Sequence, residues 1–151
     1  MEKKFVCLNL DTKSSELMRY WCIIHGFNLE VNFNEEPIPP EKFLFHLTIF
    51  FTDNEVEYPD GQELIEPIQL VPDHFELLGE NKDVPVIKIK KTLDLLLIRK
   101  HFEKSGFKDI WPDWKPHISL SYERKQYDLS GVPLPKFPIW ADILSVEKQK
   151  E

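Results

Sequence analysis

The sequence predicts an α+β fold in a single domain that spans residues 1–151. Apolar, strand-like runs alternate with two segments of helical periodicity, and this order occurs twice along the chain. In each half a helix precedes a strand-like run that contains a histidine. No low-complexity tract or clear linker separates the halves, and 151 residues is a length typical of one domain.

The first half begins with a strand at residues 5–10, whose apolar composition favours extended structure. Asp11 or Thr12 is a suitable helix N-cap, because its side-chain oxygen can accept a bond from a free backbone N–H. Gly26 ends this helix, and a Pro-rich loop leads to a strand at 43–51. Residues that recur at helical spacing predict this helix: Glu16, Leu17, Tyr20, Trp21 and Ile24. The two aromatic residues among them are expected to pack against the rest of the protein.

The second half follows an acidic segment at 53–61 that contains Pro and Gly. Short apolar runs flanked by prolines predict strands at 65–70 and 74–78, and partial alternation predicts another at 86–90. A rigid aromatic turn at 111–116 then leads into the second histidine strand. That strand is expected at 117–122, and a last strand at 137–146.

A second helix begins after Thr92, a plausible N-cap, and ends where Ser105 and Gly106 stop it. Its expected apolar and basic stripes consist of Leu93, Leu96, Leu97, Lys100 and Lys104.

The strongest chemical signal is a repeated triplet of histidine, apolar residue and hydroxyl residue. It occurs as His46-Leu47-Thr48 and again as His117-Ile118-Ser119, each time within a strand-like run. Residues two apart on a strand point to the same face, so each histidine shares a face with its hydroxyl. If the strands are neighbours, two imidazoles and two hydroxyls converge. The remaining histidines, which lack this partner and are expected to be structural or surface residues, are His25, His74 and His101.

These four side chains, His46, Thr48, His117 and Ser119, suit the cleavage of a ribonucleotide phosphodiester. Histidine titrates near neutrality, so one imidazole can remove the proton of a 2'-hydroxyl or a water while the other protonates the leaving oxygen. The hydroxyls can donate hydrogen bonds to nonbridging phosphate oxygens. This chemistry requires no metal, and the residue types do not say which histidine starts as the base.

Composition limits the partners. A net charge of −7 argues against long nucleic acids, which are usually bound by basic surfaces, but allows a small phosphate ligand near local basic residues. Those basic residues are Lys88, Lys90, Lys115 and Arg124. Cys7 and Cys22 form no CxxC motif and are expected to be buried, reduced thiols. Without an apolar membrane span or a signal-peptide pattern, we expect a cytoplasmic, acidic monomer that contacts no membrane.

The two motifs, their strand context and the length of the chain resemble those of the 2H phosphoesterases, which are named for paired HxT/S motifs. The resemblance covers nearly the whole chain, from the strand at 5–10 through 146. It implies a bilobal fold of two pseudo-symmetric antiparallel sheets, with the helices outside and a central cleft that holds the active site. It also implies that neither a metal nor another cofactor takes part.

Within that superfamily, residues 114–123 and 140–147 are most similar to the phage anti-CBASS phosphodiesterases. Those enzymes degrade the cyclic oligonucleotide messengers of bacterial immunity, which implies cleavage of 3'-5' linkages in the host cytoplasm. Residues 5–11 equally resemble bacterial RNA 2',3'-cyclic phosphodiesterases once called RNA ligases, although that group is more basic around its site. A noncatalytic nucleotide-binding module is a further alternative, disfavoured because all four motif side chains are present.

Several residues near the motifs are candidates for binding a nucleotide. Trp111, Trp114, Tyr122 and Trp140 can stack on bases, and Trp114 and Tyr122 are the stronger candidates because they flank the second motif. Lys115 can attract phosphate. Glu147 matches by position an acidic residue of the anti-CBASS group, and the resemblance implies that it contacts a base edge.

Overall fold

A computed structural model describes residues 3–53, 60–111 and 113–148 of the chain. Pro112 of the predicted aromatic turn and most of the acidic segment at 53–61 lie outside these ranges. The predicted α+β class is confirmed, because the described residues form seven strands and two α-helices. The strands are β1 (Lys4–Leu10), β2 (His46–Thr52), β3 (Gln62–Leu70), β4 (Pro72–Leu78), β5 (Val84–Ile89), β6 (His117–Ser119) and β7 (Ile139–Lys148).

The strands form one antiparallel sheet in the order β3-β7-β1-β2-β6-β5-β4. The two histidine strands, β2 and β6, are neighbours at its centre and pair through Leu47 and Ile118. The expected division into two separate sheets is not confirmed in the described residues. The physical reason is that the short β6 pairs with β2 on one side and with β5 on the other, which joins the two flanks.

Both histidine strands are shorter than the sequence predicted. The first begins at His46 rather than at 43, after a 3₁₀ turn at Pro40–Lys42. The second ends at Ser119 rather than at 122, and just beyond it the Ser121 hydroxyl donates a hydrogen bond to the Asn28 carbonyl at 2.6 Å. The apolar residues continue before His46 and after Ser119, so composition alone did not show where either strand begins or ends.

Helix α1 (Thr12–Ile24) has Asp11 as its N-cap, with Oδ1 accepting from the Ser14 N–H at 2.7 Å. Gly26 follows its end with a φ of +82°, a left-handed conformation that glycine adopts without strain. Trp21 is buried as predicted, whereas Tyr20 is 69% exposed and the prediction that it packs was wrong. Tyr20 lies off the buried face, which consists of Ser14, Met18, Trp21 and Cys22.

Helix α2 (Leu93–Lys104) begins after the predicted N-cap Thr92, whose Oγ1 accepts from the Leu95 N–H at 3.4 Å. The predicted apolar stripe was wrong, since Leu93, Leu96 and Leu97 are exposed. The buried face instead consists of Leu95, Arg99 and Phe102. A buried arginine at the centre of this face is the reason, because a hydrophobic pattern cannot reveal it.

The apolar core places the histidine motifs. Leu47 and Ile118, the central residues of the two triplets, are fully buried, while the histidines and hydroxyls on either side of them alternate to the opposite face. Burying an aliphatic side chain of this size contributes roughly 1.5 to 3 kcal/mol, so this register is strongly favoured. Cys7 and Cys22 are buried free thiols, as predicted. Neither α-helix in the described ranges has the length and apolarity that a membrane span requires.

Candidate active site

The central strands bring the four motif side chains onto one face of the sheet. In an antiparallel ladder that passes through the Leu47–Ile118 pair, His117 lies on the Thr48 side and Ser119 lies on the His46 side. All four residues are partly exposed. Each histidine is therefore next to its own hydroxyl along the strand and next to the other hydroxyl across it.

Both imidazoles are held in the same way. The Nδ1–H of His46 donates to the Leu44 carbonyl at 3.2 Å, and the Nδ1–H of His117 donates to the Lys115 carbonyl at 2.9 Å. A carbonyl oxygen only accepts, so these contacts assign the proton of each neutral ring to Nδ1. The lone pair is then on Nε2 in both rings, and Nε2 is the nitrogen available to exchange a proton with a ligand.

The surroundings of His117 favour its neutral form. Burial lowers the pKa of His117, and the positive charges of Lys88 and His46 lower it further. The hydrogen bond to the Lys115 carbonyl and the negative charge of Glu76 act in the opposite direction, but the net shift of the pKa is downward. An interaction between the two imidazoles is expected, because they lie on the same face of neighbouring strands.

Each hydroxyl has a protein partner that stays uncharged near neutral pH. Thr48 Oγ1 lies 3.7 Å from the Cys7 Sγ, and burial raises the pKa of the Cys7 thiol to about 12. Burial likewise raises the pKa of Tyr122 to about 12, and the Tyr122 phenol hydrogen-bonds with Ser119. A nearby Glu147 charge raises both values further. Neutral partners leave Thr48 and Ser119 able to orient toward an anionic ligand.

A cavity of about 370 Å³ opens beside Thr48 and His117. The Trp111 ring forms part of its wall, is 53% exposed, and stacks on Phe51 with ring centroids 4.6 Å apart and planes at 22°. Lys88 lines this cavity and also a second one of about 420 Å³. The second cavity is lined by Asp73, His74, Lys88, Ile89, Lys90, Lys91, Trp114, Lys115 and Pro116.

The predicted substrate-binding residues occupy different surroundings. Lys115 lines both cavities and is exposed, with its ammonium 3.7 Å from Asp113. Trp114 also lines both, but it is nearly buried and its Nε1–H donates to the Thr48 carbonyl at 3.0 Å. Trp114 therefore stabilises β2 through this hydrogen bond and also lines both cavities.

The other three predicted binding residues lie outside the described lining of both cavities. Tyr122 is close to Ser119 and packs against Phe43 with ring centroids 5.4 Å apart. Glu147 pairs with Phe5 across β7 and β1, near enough to Tyr122 to affect its phenol. Trp140 pairs with Gln69 on β3, at the end of β7 that contacts the N-terminus of α1.

The structure adds Asn9 and Glu76 to the residues that the sequence indicated. Asn9 is the cross-strand partner of His46, and its Oδ1 accepts from the Ser145 hydroxyl at 3.1 Å. Glu76 lies on β4 and influences His117 on β6 across the one intervening strand, β5. Asn9 alternates with the buried Leu8 and Leu10 on β1, a pattern that could have placed it on the polar face. No sequence pattern indicated Glu76, because its proximity to His117 depends on the order of the strands in the sheet.

The residues that the structure describes contain no group of three or more His, Cys, Asp or Glu side chains suited to a metal ion.

The fold and the site together define an α+β protein whose central strands present a pair of histidines, each matched with a hydroxyl. A model of the protein family described as "Anti-CBASS protein Acb1" matches residues 5–149, which is nearly the whole chain. The chain belongs to this anti-CBASS family. Membership supports a role in the evasion of CBASS, the bacterial immunity that signals through cyclic oligonucleotides. No curated protein matches the chain.

Proposed function

We propose that this chain is a metal-independent phosphodiesterase of the 2H type that cleaves 3'-5' linkages of cyclic oligonucleotide messengers. The observation that carries the proposal is the matched pair of imidazoles, each with Nδ1 bound to a backbone carbonyl and Nε2 available beside the hydroxyls. The anti-CBASS family supplies the class of substrate. The −7 net charge and the cavity volume of about 370 Å³ favour a small nucleotide over a long strand.

In the first step, His117 accepts the proton of the 2'-hydroxyl, because its lowered pKa favours the neutral ring. The 2'-oxygen forms a bond to phosphorus, the bond from phosphorus to the 5'-oxygen breaks, and protonated His46 donates a proton to that leaving oxygen. Thr48 and Ser119 donate to the nonbridging oxygens as their charge increases. The products are a 5'-hydroxyl and a 2',3'-cyclic phosphate.

In the second step, the histidines exchange roles at the same site. Neutral His46 takes a proton from water, the water oxygen bonds to phosphorus, and the ring ester bond to one ribose oxygen breaks. His117, protonated in the first step, returns its proton to that oxygen. Both imidazoles then regain their starting states, so the cycle needs no outside reactant other than water.

Turnover assays in EDTA test the proposal. Wild-type protein should cleave cyclic di- and trinucleotides, and His46→Ala and His117→Ala should each lose about 10²- to 10⁴-fold in rate, the usual contribution of a general acid or base. His101→Ala is the matched control, since His101 is exposed on α2. A substrate with a 2'-deoxy group at the cleaved linkage should resist turnover. Unchanged cleavage of that substrate would refute the 2'-hydroxyl attack.

Other outcomes favour the alternatives. Activity confined to RNA with 2',3'-cyclic ends would identify an enzyme of the bacterial RNA-ligase-like group, which shares the second step. Binding of cyclic nucleotides without turnover would indicate a noncatalytic module. We further propose that the protein acts as a monomer in the host cytoplasm, as expected if it is encoded by a phage, without contact with membranes or long nucleic acids.

The pH profile gives an independent check on the base. Because the pKa of His117 is below its ordinary value of about 6.5, the base form persists at mildly acidic pH. The acidic limb of kcat/KM should therefore lie below pH 6.5, and it should disappear or move when His117 is replaced. An acidic limb above pH 6.5 would contradict the assignment of His117 as the base.

A further inference from the structure

We propose that Lys88 binds a nonbridging oxygen of the scissile phosphate and that Glu76 positions its ammonium for this contact. The inference rests on the proposed function, because it assigns to Lys88 the main positive charge at the same site. It concerns the flank of the sheet formed by β4 and β5, which carries neither HxT/S motif.

Lys88 lies directly beside the second motif. It is the cross-strand partner of His117 in the β5–β6 ladder, and opposite residues of an antiparallel pair have Cβ atoms about 4.5 to 5.5 Å apart on the same face. Two positions along the ladder, on the same face, Val86 pairs with Ser119. A row of side chains therefore runs across the face from Lys88 through His117 toward Thr48, and Lys88 lines the cavity with both of them.

Burial distinguishes Lys88 from the other lysines around the cavities. Its side chain is 12% exposed, whereas the side chain of Lys115 is mostly in solvent and lies 3.7 Å from Asp113. A charge shielded from water interacts more strongly with a ligand, and a strand holds its side chain more rigidly than a loop does. Lys88 is thus the cation best placed to bind a phosphate next to His117.

Glu76 restrains the Lys88 ammonium but takes up none of the ammonium's hydrogen bonds. The Lys88 Nζ lies 3.6 Å from the Glu76 Oε2, which is an ion-pair distance but too long for a hydrogen bond. The same carboxylate oxygen is 4.0 Å from His74 Nε2, and His74 is the cross-strand partner of Lys88 on β4. An ammonium has three donors, so Lys88 can keep its ion pair and donate to a phosphate as well.

The charge of Lys88 has a second effect at the same place. It helps to keep His117 neutral, whereas Glu76 opposes it. The two residues therefore control both the electrostatic attraction for phosphate and the protonation of the base. The titratable and charged groups around His117 are Lys88 on β5, Glu76 and His74 on β4, His46 on β2, and Asp109, Asp113 and Lys115 in the loop that lines the cavity.

Three variants test the proposal against cyclic dinucleotide turnover. Lys88→Met should lower kcat/KM by about 10- to 100-fold, the range expected for a hydrogen bond to a charged group. Lys88→Arg should retain part of the activity because it keeps the charge. Lys100→Met, which removes an exposed lysine from α2, should leave activity unchanged. Equal kcat/KM for Lys88→Met and wild type would overturn the proposal.

The pH profile separates an electrostatic role from a structural one. Lys88→Met removes a positive charge near His117, so the acidic limb of kcat/KM should move to higher pH. Glu76→Gln removes a negative charge, so the limb should move to lower pH. Loss of activity in Lys88→Met with an unmoved limb would show that the lysine only supports the fold, and the proposal would be wrong.

A binding measurement does not depend on turnover. Calorimetric titration with adenosine 3'-monophosphate should show at least tenfold weaker binding to Lys88→Met than to wild type. Equal binding by the two proteins, or no binding by wild type, would remove the role of Lys88 in holding phosphate. Absence of cyclic dinucleotide cleavage by wild type would instead remove the proposed function, so the two failures are distinguishable.

Discussion

Replacement of Arg99 by Met should destabilise the fold more than any exposed charge change on the same helix. The Arg99 guanidinium lies beneath the sheet, where Nη1 is 3.0 Å from the Asp109 Oδ2 and also donates to the Ile49 carbonyl. Its Cζ lies 4.6 Å from the ring centroids of both Phe50 and Trp114. The side chain therefore connects α2 to β2 and to the loop before the second motif.

The magnitude follows from what remains after the substitution. Asp109 has a side chain that is 7% exposed, so Arg99→Met leaves a buried carboxylate without its cation. Breaking a buried ion pair in this way costs about 3 to 5 kcal/mol. For a domain of this size we expect a fall in Tm on the order of 10 °C. The double variant with Asp109→Asn should recover at least half of the loss, because Asn keeps the acceptor used by the Phe51 N–H at 3.3 Å.

Urea denaturation followed by tryptophan fluorescence measures this effect as a change in midpoint at constant m. Lys100→Met on α2 is the matched control and should change the free energy of unfolding by less than about 0.5 kcal/mol. The reasoning would be refuted if Arg99→Met cost less than about 1 kcal/mol. It would also be refuted if the double variant were no more stable than Arg99→Met, since the charge left on Asp109 would then not be the cause.

Three further predictions test separate parts of the structure. Trp111→Ala should raise KM for a cyclic dinucleotide by about 10-fold with little change in kcat, because one stacked base is worth about 1 to 3 kcal/mol; an unchanged KM would exclude stacking there. Cys7 and Cys22 are buried with raised pKa values, so iodoacetamide at pH 8 should label neither in the folded protein and both in urea, as read by mass spectrometry; rapid labelling of folded Cys7 would contradict its burial. Asp11→Ala should cost about 1 kcal/mol in urea denaturation by removing the cap on the Ser14 N–H, and no loss would show that solvent replaces the cap.

The features that could be predicted from the sequence depend on local patterns. Alternation along a strand was enough to place His46 with Thr48 and His117 with Ser119 on shared faces. Helix capping is also local, and both Asp11 and Thr92 occupy the N-cap positions that their residue types indicated. Such signals need only a few neighbouring residues, which explains why they transfer directly to the fold.

The features that were missed depend on long-range contacts. The apolar stripe of α2 was assigned to the wrong face because Arg99, which packs between Phe50 and Trp114, occupies the buried side. The position of Lys88 opposite His117 depends on the register between β5 and β6, and those strands are separated in the sequence by all of α2. A pattern of residue types contains no information about that register.

The short ladder between β2 and β6 stops at the motifs, beside the cavity. Before β6 the backbone of Pro116 faces β5 rather than β2, since its carbonyl accepts from the Ile89 N–H at 3.0 Å. Side chains satisfy the β2 carbonyls instead, with the Trp114 Nε1–H donating to Thr48 and the Arg99 guanidinium donating to Ile49.

Further along β2, the loop before the second motif supplies hydrogen-bond partners for the strand's backbone. The Phe51 carbonyl accepts from the Ile110 N–H at 2.7 Å, and the Phe51 N–H donates to Asp109 Oδ1. Beyond Thr48, β2 therefore pairs with β1 on one side and is hydrogen-bonded by loop residues on the other. The cavity opens beside Thr48 and His117, and Phe51 and Asp109 also line it. Arg99 holds Asp109, which lines the cavity, so loss of either residue should lower the proposed turnover as well as stability.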